Sequence, residues 1–104
     1  VSNEGFKLKP NDAFITARDF YIEISGIHQI VTHREKPVTR STFYTWLDAL
    51  KIKRWPTGQR GSYRGYEFNQ VVRFLESMLR NGSIKKSVQH VQELIESGEL
   101  TDKG

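Results

Sequence analysis

Cysteine is absent from these 104 residues. Disulfides, thiolate catalysis and any zinc site built on cysteine are therefore excluded. No run of about 18 apolar residues occurs, so nothing in the sequence reads as a membrane span. The opening VSNEGFKLKP lacks the apolar stretch of a secretory signal, and a cytoplasmic protein is expected. Proline is scarce, at positions 10, 37 and 56, and each is a natural break between elements. His28, His33 and His90 have no metal-ligand spacing with one another or with nearby carboxylates. No serine, histidine and carboxylate set and no phosphate loop is present. No metal, no cofactor and no enzymatic activity are expected.

What is present is the composition of one folded domain, with 37% hydrophobic and 27% charged residues, a balance outside the disordered range. The net charge is +4, and its distribution says more than its size. Residues 34–66 carry eight basic side chains (Arg34, Lys36, Arg40, Lys51, Lys53, Arg54, Arg60, Arg64) against two acidic ones (Glu35, Asp48), a net of +6. The segments on either side are each slightly acidic. A basic patch of this kind concentrates and captures a polyanion.

Along the chain, residues 1–10 read as a loosely docked polar arm and 11–20 suggest a short helix capped by Asn11 or Asp12, so that 1–19 stand before the domain as an N-terminal arm. FYIEI (20–24) alternates like a strand. SGIHQIVTHRE (25–35) follows as a helix with Ser25 at its N-cap and Ile27, Ile30 and Val31 on one face, closed by Pro37. The clearest helix is VTRSTFYTWLDALKI (38–52). Thr39 suits its N-cap, and Phe43, Trp46, Leu47 and Leu50 make one apolar stripe. Arg40, Ser41, Tyr44, Thr45 and Asp48 lie on the opposite face. KRWPTGQRGSYRGY (53–66) is interrupted by Pro56, Gly58, Gly61 and Gly65, and its aromatic flanks suggest a hairpin with a basic tip. Residues 67–82 form a second strong helix with Asn81-Gly82 at its end, and Ser83 caps a last helix over 84–97, stopped by Gly98. Glu93, Glu96 and Glu99 read as a solvated helix face. Val88, Val91 and Ile95 either complete the core or make a two-fold contact. Residues 99–104 form a tail.

The middle of the chain thus runs helix, turn, helix, basic hairpin, helix. A helix that enters the major groove needs a core-facing stripe and an outer face of short polar and basic side chains, and residues 38–50 have both. Arginines on a glycine-rich hairpin can reach the next phosphates or the minor groove.

SGIHQIV…VTRSTFYTWLDALKI resembles the helix-turn-helix of MerR-family regulators, whose second helix reads close to V-S-x-R-T-L-R-Y-Y-E. Thr39 stands in place of the capping serine, Thr42-Phe43 in place of Thr-Leu, and Trp46 in place of an aromatic. RGSYRGYEFNQVVRFL is similar to the family's wing ending, G-Y-R-R-Y and a following helix. LRNGSIKKSVQHVQELI is similar to its next helix pair. The resemblance covers about residues 20–97. It implies a mainly α fold with a small β-hairpin wing, a MerR-like winged helix-turn-helix, over residues 20–98. Ser41 and Tyr44 replace two arginines common in the family, and the turn HREKP (33–37) is longer. The resemblance is to a reduced form without the long coiled coil and effector domain, of the kind that prokaryotic mobile elements use as repressors or excisionase-type proteins.

The implied function is sequence-specific binding of double-stranded DNA as a nucleoid-associated transcriptional regulator, a repressor acting as a homodimer on paired half-sites. The alternative is an excisionase-type or architectural accessory protein that bends DNA. A protein-interaction module that has lost DNA contact is a third option, and RNA is disfavoured because no aromatic-studded sheet is evident. Arg40 is the candidate for guanine through O6 and N7. Thr39, Ser41, Thr42, Tyr44 and Thr45 are candidates for bases or phosphates. Lys53, Arg54, Arg60 and Arg64 are candidates for phosphates. Tyr63 resembles the family's phosphate-binding wing tyrosine, with packing inside the hairpin as the alternative. Trp55 and Tyr66 are expected to pack under the wing.

Overall fold

The last three helices begin and end where local chemistry places them. In the computed structural model, which describes residues 8–53 and 62–102, the elements are β1 (Phe14–Thr16), α1 (Ala17–Thr32), α2 (Arg40–Ala49), β2 (Ser62–Arg64), α3 (Gly65–Asn81) and α4 (Ile84–Ser97). The protein is mainly helical with one small antiparallel sheet. Among the described residues no helix is long and apolar enough to cross a membrane. The Thr39 hydroxyl accepts the Thr42 N–H at 3.2 Å and so caps α2. Ser83 does the same for α4 through the Lys86 N–H at 3.2 Å. Gly82 (φ 69°) and Gly98 (φ 90°) end α3 and α4 in the left-handed conformation that glycine adopts without steric cost.

Helix α2 ends in the same way but without a glycine. The Lys51 N–H reaches the Asp48 carbonyl at 3.0 Å and the Ile52 N–H reaches the Leu47 carbonyl at 2.8 Å. These are the two hydrogen bonds of a Schellman cap, and the buried Ile52 and Leu47 supply its apolar contact. Lys51 occupies the left-handed position at φ 61°, which costs a side chain with a Cβ about 1 kcal/mol.

The first third of the chain departs from the sequence expectation. Residues 20–24 are helical, not a strand, and Ser25 is interior to α1, not its cap. Thr16 caps α1 instead, accepting the Asp19 N–H at 3.1 Å. The alternation of FYIEI matches a strand, but Phe20 and Ile24 are also four apart, and both are fully buried on one helical face. The expected helix over 11–20 gives way to β1 at residues 14–16.

Strand β2 pairs with β1, with Phe14 opposite Arg64, Ile15 opposite Tyr63 and Thr16 opposite Ser62. Among the described residues the partner of 62–64 is therefore a segment nearly fifty residues away. The tip of the expected 53–66 hairpin, residues 54–61, lies outside the described residues.

Residues 9–19 are not a loose arm either, and the boundary expected at residue 20 cuts through the fold. The Asn69 side chain grips the Lys9 backbone twice, accepting its N–H at 2.8 Å and donating to its carbonyl at 2.8 Å. The first N–H groups of α3, from Gly65 and Tyr66, are taken by the carbonyls of Ala13 (2.9 Å) and Asn11 (3.3 Å). Gly65 permits this approach, since a Cβ there would sit 1.8 Å from the Pro10 carbonyl oxygen. The tail expected at 99–104 is docked through buried Leu100 and a 2.8 Å hydrogen bond from the Gln70 amide to the Thr101 carbonyl.

The core gathers around Phe20, which meets Phe43 of α2 (ring centroids 5.6 Å apart), Tyr63 of β2 (4.6 Å) and Phe68 of α3 (5.8 Å). Val91 of α4 belongs to this core, with Val88 and Ile95 packed against it. Fully burying side chains of the Phe20 and Leu47 size contributes about 1.5–3 kcal/mol each.

Candidate nucleic-acid interface

Helix α2 separates its faces cleanly. Phe43, Trp46, Leu47 and Leu50 are buried, while Arg40, Ser41, Thr42, Thr45 and Asp48 are exposed together with the capping Thr39. Tyr44 is half-buried at the boundary, its ring 5.8 Å from Phe43. Asp48 is the one carboxylate of the helix, placed in its last turn. The outer hydroxyls are satisfied locally. Thr39 donates to Thr42 (3.0 Å), and Thr45 donates to the Ser41 carbonyl (2.9 Å). Each such hydroxyl retains acceptor capacity toward a partner.

The turn that delivers α2 is braced from α1. Val38, just before the cap, is held on both sides, with its N–H on the Ser25 hydroxyl at 3.0 Å and its carbonyl accepting the Tyr21 O–H. The Gln29 amide donates to the Glu35 carbonyl at 2.9 Å, and the Gln29 carbonyl accepts the Arg34 N–H at 3.1 Å. The long 33–37 loop is thereby tied down, and the entry of α2 into the fold is set by side chains of α1.

Arg40 begins α2 with its guanidinium over the Tyr21 ring, 4.7 Å from the centroid. Arg64, at the end of β2, lies over the Phe14 ring at 4.4 Å. Both distances are within the range of a cation–π contact. Arg64 also caps α3, its N–H donating to Glu67 at 2.8 Å. Burial pushes the Glu67 carboxyl above its usual range, while that hydrogen bond and the Arg64 charge pull it back.

The remaining candidates divide. Lys53 is exposed just after buried Ile52, and Arg34 and Lys36 are exposed on the turn. Arg54, Arg60 and Trp55 lie outside the described residues. Tyr63 does not stand at the surface. It is 2% exposed with its ring edge-on to Phe20, so of the two readings of this tyrosine packing is the one observed, and the reason is the strand register that turns Ile15 and Tyr63 inward together. Tyr66 is half-buried in the first turn of α3.

Sequence reasoning missed Tyr21, Phe14 and Ser25. Tyr21 and Ser25 were hidden by the strand reading of 20–24, and Phe14 by the absence of any local sign that β1 would face Arg64. Phe20 links the parts, since Phe43 of α2 and Tyr63 of β2 both pack edge-on with its ring.

Comparisons of the chain with family models, curated proteins and solved structures give no match. The fold and the site define a mainly α domain with a small sheet and one helix whose outer face is polar, basic at its start and braced by its neighbour.

Proposed function

We propose that this protein binds double-stranded DNA sequence-specifically in the manner of a MerR-like winged helix-turn-helix, with α2 in the major groove and the basic 53–66 segment on flanking phosphates or the minor groove. The observation that carries the reading is the outer face of α2. It presents Thr39, Arg40, Ser41, Thr42 and Thr45 to solvent on a helix anchored by four buried apolar side chains. Short hydroxyl side chains let a helix approach base edges closely, and an arginine at the start of such a helix reaches guanine. The excess positive charge of residues 34–66 supplies the attraction to phosphate that precedes reading.

In this proposal the protein is a transcriptional repressor that acts as a homodimer on an operator with two half-sites. A single module touches few base pairs, and pairing raises affinity and specificity together.

The test is equilibrium binding to random and selected duplexes as salt is varied. A dimer making about 6–10 phosphate contacts loses about three to five decades of affinity between 50 and 200 mM salt. A flat profile overturns the reading. One short symmetric footprint is expected, whereas several adjacent repeats would make the protein an excisionase-type accessory factor.

A further inference from the structure

We propose that Tyr21 and Phe14 are positioning residues for DNA contact. Tyr21 sets the presentation of Arg40 for base reading, and Phe14 holds Arg64 for phosphate. The inference rests on the duplex-binding reading above and adds to it two side chains from β1 and α1.

Arg40 and Arg64 share an environment. Each guanidinium lies over an aromatic ring, 4.7 and 4.4 Å from its centroid, and among the described residues neither is within ion-pair distance of a carboxylate, although the Arg64 charge acts on Glu67. A ring face holds the flat side of a guanidinium and leaves its in-plane N–H edge open, which is the edge that pairs with guanine or with phosphate oxygens. An arginine held this way has less freedom to lose on binding than one waving in water.

Tyr21 is itself fixed. Its ring meets Phe43 edge-on at 5.4 Å, and its hydroxyl bonds the Val38 carbonyl. The support under Arg40 and the turn that aims α2 therefore move as one body. A shift of this ring displaces the reading side chain and the start of the reading helix together.

Phe14 makes the complementary case. It is 70% exposed, so core packing does not account for it. Its position directly across the sheet from Arg64 does, because residues opposite each other on one face of an antiparallel pair interact. Tyr21 and Phe14 differ in what they serve. Arg40 lies on the reading helix, so losing its rest should blur sequence preference. Arg64 lies on the sheet within the basic 53–66 segment, so losing its rest should weaken all duplexes alike.

The experiment measures binding of the wild type, Arg40→Ala, Tyr21→Leu, Tyr21→Phe, Arg64→Ala and Phe14→Leu. Each is tested against the best duplex from a randomised pool, single-base variants of it, and random duplex. Preference is read as the ratio between the best duplex and its variants, a ratio independent of the folded fraction. Tyr21→Leu is expected to lower this ratio about tenfold at the base pair that Arg40→Ala also affects, with no further loss in the double variant. Tyr21→Phe keeps the ring and is expected to keep the ratio, although it loses the bond to Val38. A merely structural Tyr21 would lower stability and leave the ratio alone. Phe14→Leu, at an exposed position that does not threaten the fold, is expected to weaken all duplexes about threefold, and to have no effect when Arg64 is already alanine.

The proposal is overturned if Tyr21→Leu keeps the preference that Arg40→Ala loses. It is equally overturned if Phe14→Leu binds like the wild type while Arg64→Ala binds more weakly. A wild type that binds no duplex at any salt overturns the duplex reading and this inference with it, an outcome distinct from either of the other two.

Discussion

Helices α2 and α3 are both amphipathic and both carry uncharged polar side chains, but they use them in opposite ways. On α3, Asn69 and Gln70 are buried, and each is committed to holding a distant stretch of chain. Asn69 clamps Lys9 and Gln70 clamps Thr101. On α2, Ser41, Thr42 and Thr45 are exposed, and the hydrogen bonds of Thr42 and Thr45 stay within the helix and its cap. A buried polar group must be satisfied by the fold or it destabilises the fold. An exposed hydroxyl with a local bond keeps lone pairs for a partner. Similar side chains thus serve architecture on one helix and are open to recognition on the other.

The contrast is broken most forcefully at the junction of α3 with the N-terminal segment. Gly65→Ala places a Cβ against the Pro10 carbonyl at 1.8 Å, and backbone atoms on both sides must move. A loss of about 3 kcal/mol is expected in urea unfolding. Asn69→Ala leaves the Lys9 N–H and carbonyl without their partner and should cost about 2 kcal/mol in the same measurement. In both variants the protein that remains folded should keep the sequence preference of the proposed complex. If either shifts sequence preference, the division of labour between the two helices is wrong.

Ser41→Glu works the comparison from the other side. Position 41 lies in the first turn of α2, where a negative charge meets the positive end of the helix dipole and adds about 0.3–1 kcal/mol of stability. In the proposed complex the same charge faces phosphate, so affinity for duplex should fall at least about tenfold. Thermal unfolding and a binding titration on one preparation check the opposite signs. Lys51→Gly relieves the left-handed residue at the end of α2 and should raise stability by about 1 kcal/mol, read from the unfolding midpoint.

The smallest effect concerns His28, which packs on the inner face of α2 with its ring 5.5 Å from Trp46. Burial, and then the Arg34 charge, hold its imidazole below the usual 6.5, and its Nδ1 is buried without a hydrogen-bond partner among the described residues. The unfolded chain takes up this proton more readily than the folded one. The His28 contribution to stability is therefore complete above the unfolded pKa, and it is lost as pH falls through 6.5 toward the lower folded value. The fall in Tm between pH 7.5 and 5.5 should be shallower in His28→Gln than in the wild type.

Much of this was legible in the residues. The Thr39, Ser83, Gly82 and Gly98 caps and the stripe Phe43, Trp46, Leu47 and Leu50 belong to local chemistry, where partners lie within four residues, so the last three helices and the outer face of α2 follow from spacing alone. Tyr44 already shows the limit, since a residue at the edge of a stripe is buried or exposed according to its neighbours.

The sequence by itself determined the helical character of the later chain, the caps that bound it and the charge that sets the expected partner. Tertiary structure alone decided that residues 14–16 pair with 62–64, that 20–24 turn as helix, that Tyr63 goes inward, and that aromatic rings lie beneath Arg40 and Arg64. The physical reason is range. A helix satisfies its backbone within one turn, but a three-residue strand is defined only by the distant strand it bonds to, and a two-residue alternation cannot be told from a four-residue one until the core it faces has formed.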